Sequence, residues 1–222
     1  SVRLLNNHEE CVMSKTRNHQ PETTPVDLPK PKFTGDVPLE KALLHRRSVR
    51  RFRNKPLLQD QVSQLLWAAQ GTTHPSGFRT SPSAGALYPL EIHLAAERVE
   101  GIAPGLYRYL PSRHQLTRRK SGSRLNNLAA AALGQDAIRQ APAAIVICGV
   151  MPRTTDKYGK RGIQYVFMEA GHAGQNILLQ ATALDLAGVP IGAFDDDAVS
   201  RLMDLPDDET PLYIIPVGYA SD

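Results

Sequence analysis

Hydrophobic and polar residues alternate along the chain in patterns that mark out its elements. In "LQDQVSQLLWAAQG", residues 58–71, Leu58, Val62, Leu65, Leu66 and Ala69 fall on one helical face, and Gly71 stands where the helix should stop. A shorter helix is expected over "LEKALLHR", residues 39–46, and an Ala-rich one around 123–133. The longest helical pattern runs from Ile163 to about Leu186: Ile163, Val166, Phe167, Ala170, Ala173, Ile177, Ala181 and Leu184 step by three and four, and Gly188 with Pro190 ends it. At 1.5 Å per residue that is roughly 36 Å of helix.

Strand patterns occupy the segments between. "LEIHLAAE" (90–97) alternates, "GLYRYLPSRHQLTRR" predicts a hairpin turning at "PSRH", and "AAIVICGV" (143–150) has the continuous apolar character of a covered strand. "VPIGAF" is a short extended piece, "DDAVSRLMDL" a capped helix and "PLYIIPVGYA" a last strand. Residues 72–89, "TTHPSGFRTSPSAGALYP", form a loop rich in Gly, Pro and Ser, and loops of that length in compact domains are more often functional than not. The elements follow one another without a βαβ rhythm or an internal repeat, which predicts an α+β fold. Residues 1–37 are polar, punctuated by prolines and free of periodicity. They are expected to form an extended arm, with a single domain over 38–222.

Composition narrows the function classes. The chain has 222 residues, 41% hydrophobic and 22% charged, and no apolar run near the roughly 20 residues that cross a bilayer. Without a membrane span or a secretory signal, a cytoplasmic location is expected. Two cysteines, Cys11 and Cys148, are too few and too far apart for a disulfide framework or a metal knuckle, and Cys148 fits a small core residue. The formal net charge of +4 favours anionic partners, but the basic residues are scattered, with no aromatic platform or helix-turn-helix pattern, so a nucleic-acid partner is not expected.

Charge concentrates only in "LLHRRSVRRF". If residues 47–52 are extended, Arg46, Ser48 and Arg50 point one way and Arg47 and Arg51 the other. Two guanidinium groups around a hydroxyl suit a phosphate monoester, since each can donate paired charge-assisted bonds; a solvated basic loop is the equally weighted alternative. "SPSAGALYP" (81–89) lets backbone amides approach a ligand, but it has neither nucleotide-loop signature. "DKYGKRG" (156–162) sets two proton-transfer groups, Lys157 and Tyr158, side by side on what reads equally as a plain surface loop.

Glu169 and His172 have the E-x-x-H spacing of di-iron bundles, but no second such pair exists. With Asn176 and Gln180 they read as a polar seam, facing a polar cavity or satisfied within the fold. Asp195, Asp196 and Asp197 fit a helix N-cap better than a cation site, and no bound metal is expected.

Four blocks in order, "RRSVRRF", "SPSAGALYPLEIHL", "KYGKRGIQYVFMEAGHAGQNILLQATALDL" and "GVPIGAFDDDAVSRLMDL…ETPLYIIPVG", resemble the FMN-dependent nitroreductase superfamily over about residues 38–218. The third block resembles in particular its SagB-type branch, which includes azoline dehydrogenases. The resemblance implies a homodimer with a mostly antiparallel sheet flanked by helices and FMN at the interface. It assigns Arg46, Arg47, Ser48 and Arg50 to the FMN phosphate and ribityl chain, and Pro82, Ser83, Ala84 and Gly85 to the wall of the ring. Pro190, Ile191, Gly192 and Ala193 become a partner-chain segment whose backbone N–H reaches flavin N5, and Lys157 and Tyr158 the catalytic pair.

The activity implied is two-electron dehydrogenation of a small-molecule or peptide-derived heterocycle, the alternative being NAD(P)H-dependent reduction of nitro compounds or quinones at the same FMN site. Many family members carry a basic residue after the last strand, whereas this chain stops at "GYASD", which shifts phosphate binding onto Arg46 and Arg50.

Overall fold

A computed structural model describes residues 25–221; the remainder of the expected arm, residues 1–24, lies outside the described residues. Among the described residues seven strands form one sheet, β1 (Val26–Asp27), β2 (Leu90–Ala96), β3 (Gly105–Leu110), β4 (Gln115–Ser121), β5 (Ala143–Val150), β6 (Ala187–Gly188) and β7 (Glu209–Gly218), in the spatial order β1-β4-β3-β2-β5-β7-β6. Every pairing is antiparallel. The helices are α1 (Leu39–His45), α2 (Gln59–Gln70), α3 (Leu125–Ala131), α4 (Asp136–Gln140), α5 (Pro152–Tyr158), α6 (Arg161–Ala183) and α7 (Asp196–Met203). The α+β expectation holds.

Two apolar layers sandwich the sheet. One joins Val62, Leu65 and Leu66 of α2 and Val166, Ala170, Ala173 and Ile177 of α6 to Ile92, Leu94, Ile145 and Ile147. The other joins Leu125 and Leu128 of α3, Ile138 of α4 and Val199 of α7 to Ala95, Leu106, Val146 and Ile214. This double cover explains why β2 differs from its sequence pattern. Alternation suggests one wet face, but all seven β2 positions are buried, Glu91 and His93 included.

Helix α6 begins two residues before Ile163, and its stripe is not uniformly covered. Val166, Ala170, Ala173, Ile177 and Ala181 are buried on the sheet, while Ile163, Phe167 and Met168 stand exposed on the flank. Helix α5 occupies ground that reads in sequence as a loop. Its local signals are Pro152 in the first turn and Gly159, at φ +56°, closing it after the Gly159 N–H donates to the Thr155 carbonyl. Asp195 caps α7 by accepting from the Ala198 N–H, as its position before the helix implied. Gly71 ends α2 without a left-handed turn; a Cβ there would stand 2.1 Å from Trp67 Cδ1.

The described part of the arm docks on the domain. Val26 and Asp27 pair with β4, the Ser63 hydroxyl donates to the Pro29 carbonyl, and Lys32 exchanges two bonds with the Gln64 side chain. The ring of Phe33 lies 5.5 Å from that of Trp67.

Candidate active site

Two groups of predicted residues come together, at two places. The first forms around the loop 81–85. Gly85 takes φ +61°, the left-handed region that glycine enters without strain, and a Cβ on it would lie 2.8 Å from the Tyr158 hydroxyl and 2.9 Å from Lys157 Nζ. The polar ends of both residues therefore converge on one bare stretch of backbone. Helix α5 holds them there, and its approach to α6 is set by Gly162, where a Cβ would press 2.9 Å against Thr154 and Thr155 backbone atoms. Tyr158 is further fixed edge-on to Tyr165, ring centroids 5.2 Å apart.

Helix α6 secures the loop from beneath. Buried Glu169 accepts from the Ala84 N–H at 2.9 Å, and Asn176 Nδ2 donates to the Ala68 carbonyl and the Ser81 hydroxyl. The Ser83 hydroxyl accepts from the Tyr88 N–H, closing the turn. Burial pushes the Glu169 carboxyl above its ordinary range, opposed by the Ala84 amide; its second oxygen, Oε2, is buried without a hydrogen-bond partner. Of the polar seam, Glu169, Asn176 and Gln180 are thus bonded within the fold, Gln180 through Gln64, while His172 is exposed. Sequence singled out Glu169 as half of an E-x-x-H pair and as part of a polar seam; its role under the loop was hidden because the contact joins residues 85 positions apart.

The second group runs along residues 46–53. Ser48 forms a parallel bridge with Gly188, and the Val49 N–H donates to the Gly188 carbonyl, so this strip lies beside the start of Pro190–Ala193 within one chain. Phe52 bridges Ala220, the Arg53 N–H donates to the Tyr219 carbonyl, and the Ser221 N–H donates to the Arg51 carbonyl. Val49 and Phe52 turn inward, Ser48, Arg50 and Arg51 outward. The Arg47 guanidinium folds back on α1, donating to the carbonyls of Leu44 and Arg46. Arg46 and Arg50 make no side-chain hydrogen bond or ion pair among the described residues.

Pro190 has no N–H, and both backbone groups of Ile191 are taken by Ile214. Among Pro190–Ala193, Gly192 and Ala193, both exposed, have the N–H groups left without a backbone acceptor. Along the α6 axis, Ala84 of the loop is held by Glu169 and Ser81 by Asn176, while Gly188 lies against Leu178, nine positions beyond Glu169 and two beyond Asn176.

Comparison with known proteins identifies the chain's relatives. Over 197 residues the chain is 42% identical to a protein of Methanocaldococcus jannaschii assigned to the nitroreductases, covering 89% of this chain and 97% of that one. The microcin B17-processing protein McbC of Escherichia coli is 30% identical over 170 residues, 72% of this chain and 62% of McbC, so the chain spans less than two thirds of that relative. A crystal structure from Ralstonia eutropha JMP134, also assigned as a nitroreductase, superposes with a TM-score of 0.78 at 28% identity over 89% of this chain and 90% of its own. Residues 43–219, which carry both groups described above, match the family model, and the chain belongs to the nitroreductase family of oxidoreductases.

Proposed function

We propose that this oxidoreductase is an FMN-dependent dehydrogenase of SagB type, removing two electrons and two hydrogens from a peptide-derived or small-molecule heterocycle. The observation that carries the proposal is the meeting of Lys157 Nζ and the Tyr158 hydroxyl at Gly85. A bare glycine surface with two proton-transfer groups above it suits a flat ring and a substrate laid on it. The similarity to the McbC processing protein supports the branch.

The residues present fit FMN. Arg46 and Arg50 leave two guanidinium forks free for a phosphate beside the Ser48 hydroxyl, and Gly192 and Ala193 offer unspent N–H donors. When bound, FMN supplies an acceptor for a hydride. Everything else falls to the chain. Lys157 takes the proton that leaves with the hydride, Tyr158 orients the substrate and can pass that proton on, and Glu169 keeps the loop amide fixed so that Gly85 stays in register with both.

We infer that a second copy completes each site. The exposed Leu39, Leu43, Leu44, Ile163, Phe167 and Met168 provide apolar surface for it. A cavity of about 690 Å³, lined in part by Phe33, Leu39, Gln64, Trp67 and Gln180, opens between the arm, α1, α2 and α6. Size-exclusion chromatography with light scattering should give twice the chain mass; a monomer that holds FMN fully would remove this part.

The flavin test is the visible spectrum of the purified protein. A colourless protein that takes up no FMN overturns the proposal. Anaerobic bleaching of the flavin by an azoline-containing peptide, absent with NADPH, supports the dehydrogenase. A second reading, reduction of nitro compounds or quinones, is favoured by the match to the family model and the 42% identical relative. Sustained NADPH turnover with a nitroaromatic, without azoline oxidation, selects it instead.

A further inference from the structure

On the sheet face covered by α3, α4 and α7, three chemically reactive side chains from adjacent strands turn toward one another. His93 of β2, Cys148 of β5 and Glu209 at the start of β7 are 4%, 0% and 5% exposed, and their ligand atoms all lie within 4.8 Å of one another. The register makes this a consequence of pairing. Glu91 stands opposite Cys148 and His93 opposite Val146, so His93 and Cys148 are diagonal neighbours on one face. After a bulge at Ile147/Cys148, Pro211 stands opposite Cys148 and Glu209 opposite Val150, which puts Glu209 on the other diagonal of the same face.

We propose that His93, Cys148 and Glu209 form a buried binding site for a divalent cation, zinc by its donor set, independent of the flavin site. Sulfur, imidazole nitrogen and carboxylate oxygen are the donors zinc accepts, at about 2.0–2.3 Å, which separates the ligand atoms of a tetrahedral set by roughly 3.5 Å. The three groups are close enough to reach that spacing by shifts on the order of 1 Å. His93 Nε2 and Glu209 Oε1 are in direct hydrogen-bond contact, and an ion would separate them and take both. A bidentate Glu209 fills the fourth position without water.

A divalent ion forms bonds to the Cys148 sulfur, a His93 nitrogen and the Glu209 carboxylate; the thiol gives up its proton to solvent and His93 binds as neutral imidazole, so thiolate and carboxylate together offset the ion's two charges in the layer of Val146, Leu106 and Ile214. The neighbouring Glu91 does not compete, since Arg108 at 2.8 Å and Arg153 at 2.5 Å already hold its carboxylate. Among the described residues no hydrogen bond or ion pair joins any of the three to Gly85 or to the Arg46–Arg50 strip.

The test uses the full-length purified protein, flavin included, stripped by chelator dialysis and refilled with Zn²⁺ or Co²⁺ alone. Elemental mass spectrometry should find a single tightly held equivalent of zinc in the wild type and in Cys11→Ser, released on chelation. Co²⁺ should give the red d–d bands of four-coordinate sulfur-ligated metal, beyond the flavin's own absorbance. Cys148→Ser and His93→Gln should each lose more affinity than the roughly 10–100-fold that removing an outer-shell partner costs. Folded wild type that binds neither ion tightly overturns the proposal, as does binding undiminished in folded Cys148→Ser or lost in Cys11→Ser. Should the core variants fail to fold, the wild-type metal content and Co²⁺ spectrum still decide it.

Discussion

At Gly85, two polar side chains from α5, a buried carboxylate from α6 and a loop amide are held in place by contacts within one chain; along Arg46–Arg50, Arg47 folds back on α1, Arg50 stands outward, and Arg46 and Arg50 have no side-chain partner among the described residues. The first region is preorganised. Glycines at 85 and 162 allow approaches that a Cβ would block, and Glu169 and Asn176 spend burial and hydrogen bonds on fixing the loop. The second is anchored through its backbone, by Gly188 on one side and Tyr219 to Ser221 on the other, and by the inward side chains of Val49 and Phe52. A catalytic pair needs fixed geometry, whereas a phosphate clamp can close on an anion that itself supplies the missing charge.

Breaking the first region should cost most in rate. Lys157→Ala is expected to slow dehydrogenation by about 10²- to 10⁴-fold, the usual worth of a positioned acid or base, while leaving flavin content unchanged. Single-turnover flavin reduction checks this, and an undiminished rate removes Lys157 from the mechanism. Breaking the second region should instead cost cofactor. Arg46→Ala and Arg50→Ala should each weaken FMN retention about ten- to hundredfold, corresponding to about 1.5–3 kcal/mol for a lost bond to a charged group. Arg51→Ala should not change retention, and equal losses at Arg46 and Arg51 would undo the split.

Smaller effects sharpen the contrast. Gly162→Ala should destabilise the fold by about 1–3 kcal/mol, since the new methyl meets backbone of α5 that cannot rotate away, and should lower kcat more than flavin binding. Denaturant melts together with stopped-flow rates test it. The weakest expected effect concerns pH. Burial raises the Glu169 carboxyl in the folded state, so the unfolded chain gives up that proton first, near the ordinary value of 4.5. Glu169 therefore contributes stability that is present below that pH and declines as pH rises through the folded value. Glu169→Gln should flatten this part of the stability profile, and parallel profiles for the two proteins would show that the carboxyl is not held up.

The parts of this fold that sequence made legible are those whose signal is local. Helix α2, the 111–114 turn, strand β5 and the Asp195 cap each follow from periodicity or from one residue's preferred conformation. Helix α5 was not legible as such, because seven residues with two weak terminal signals look like a loop, and its position decides whether Lys157 and Tyr158 meet anything. The inward face of β2 was misleading for the opposite reason: alternation reports polarity, and only the second helical layer turns Glu91 and His93 into buried groups.

By itself the sequence determined most element types and the α+β class, because periodicity and capping act over a few neighbouring positions, while the antiparallel sheet and the site candidates came from its resemblance to the nitroreductases. Tertiary structure alone decided which of those candidates share a place. Gly85 faces Lys157 and Tyr158, Ser48 lies beside Gly188, Ile191 spends its N–H on Ile214, and His93 meets Glu209 across 116 positions. Those meetings are set by strand register and by how closely helices approach, and both depend on contacts between residues that the chain keeps far apart.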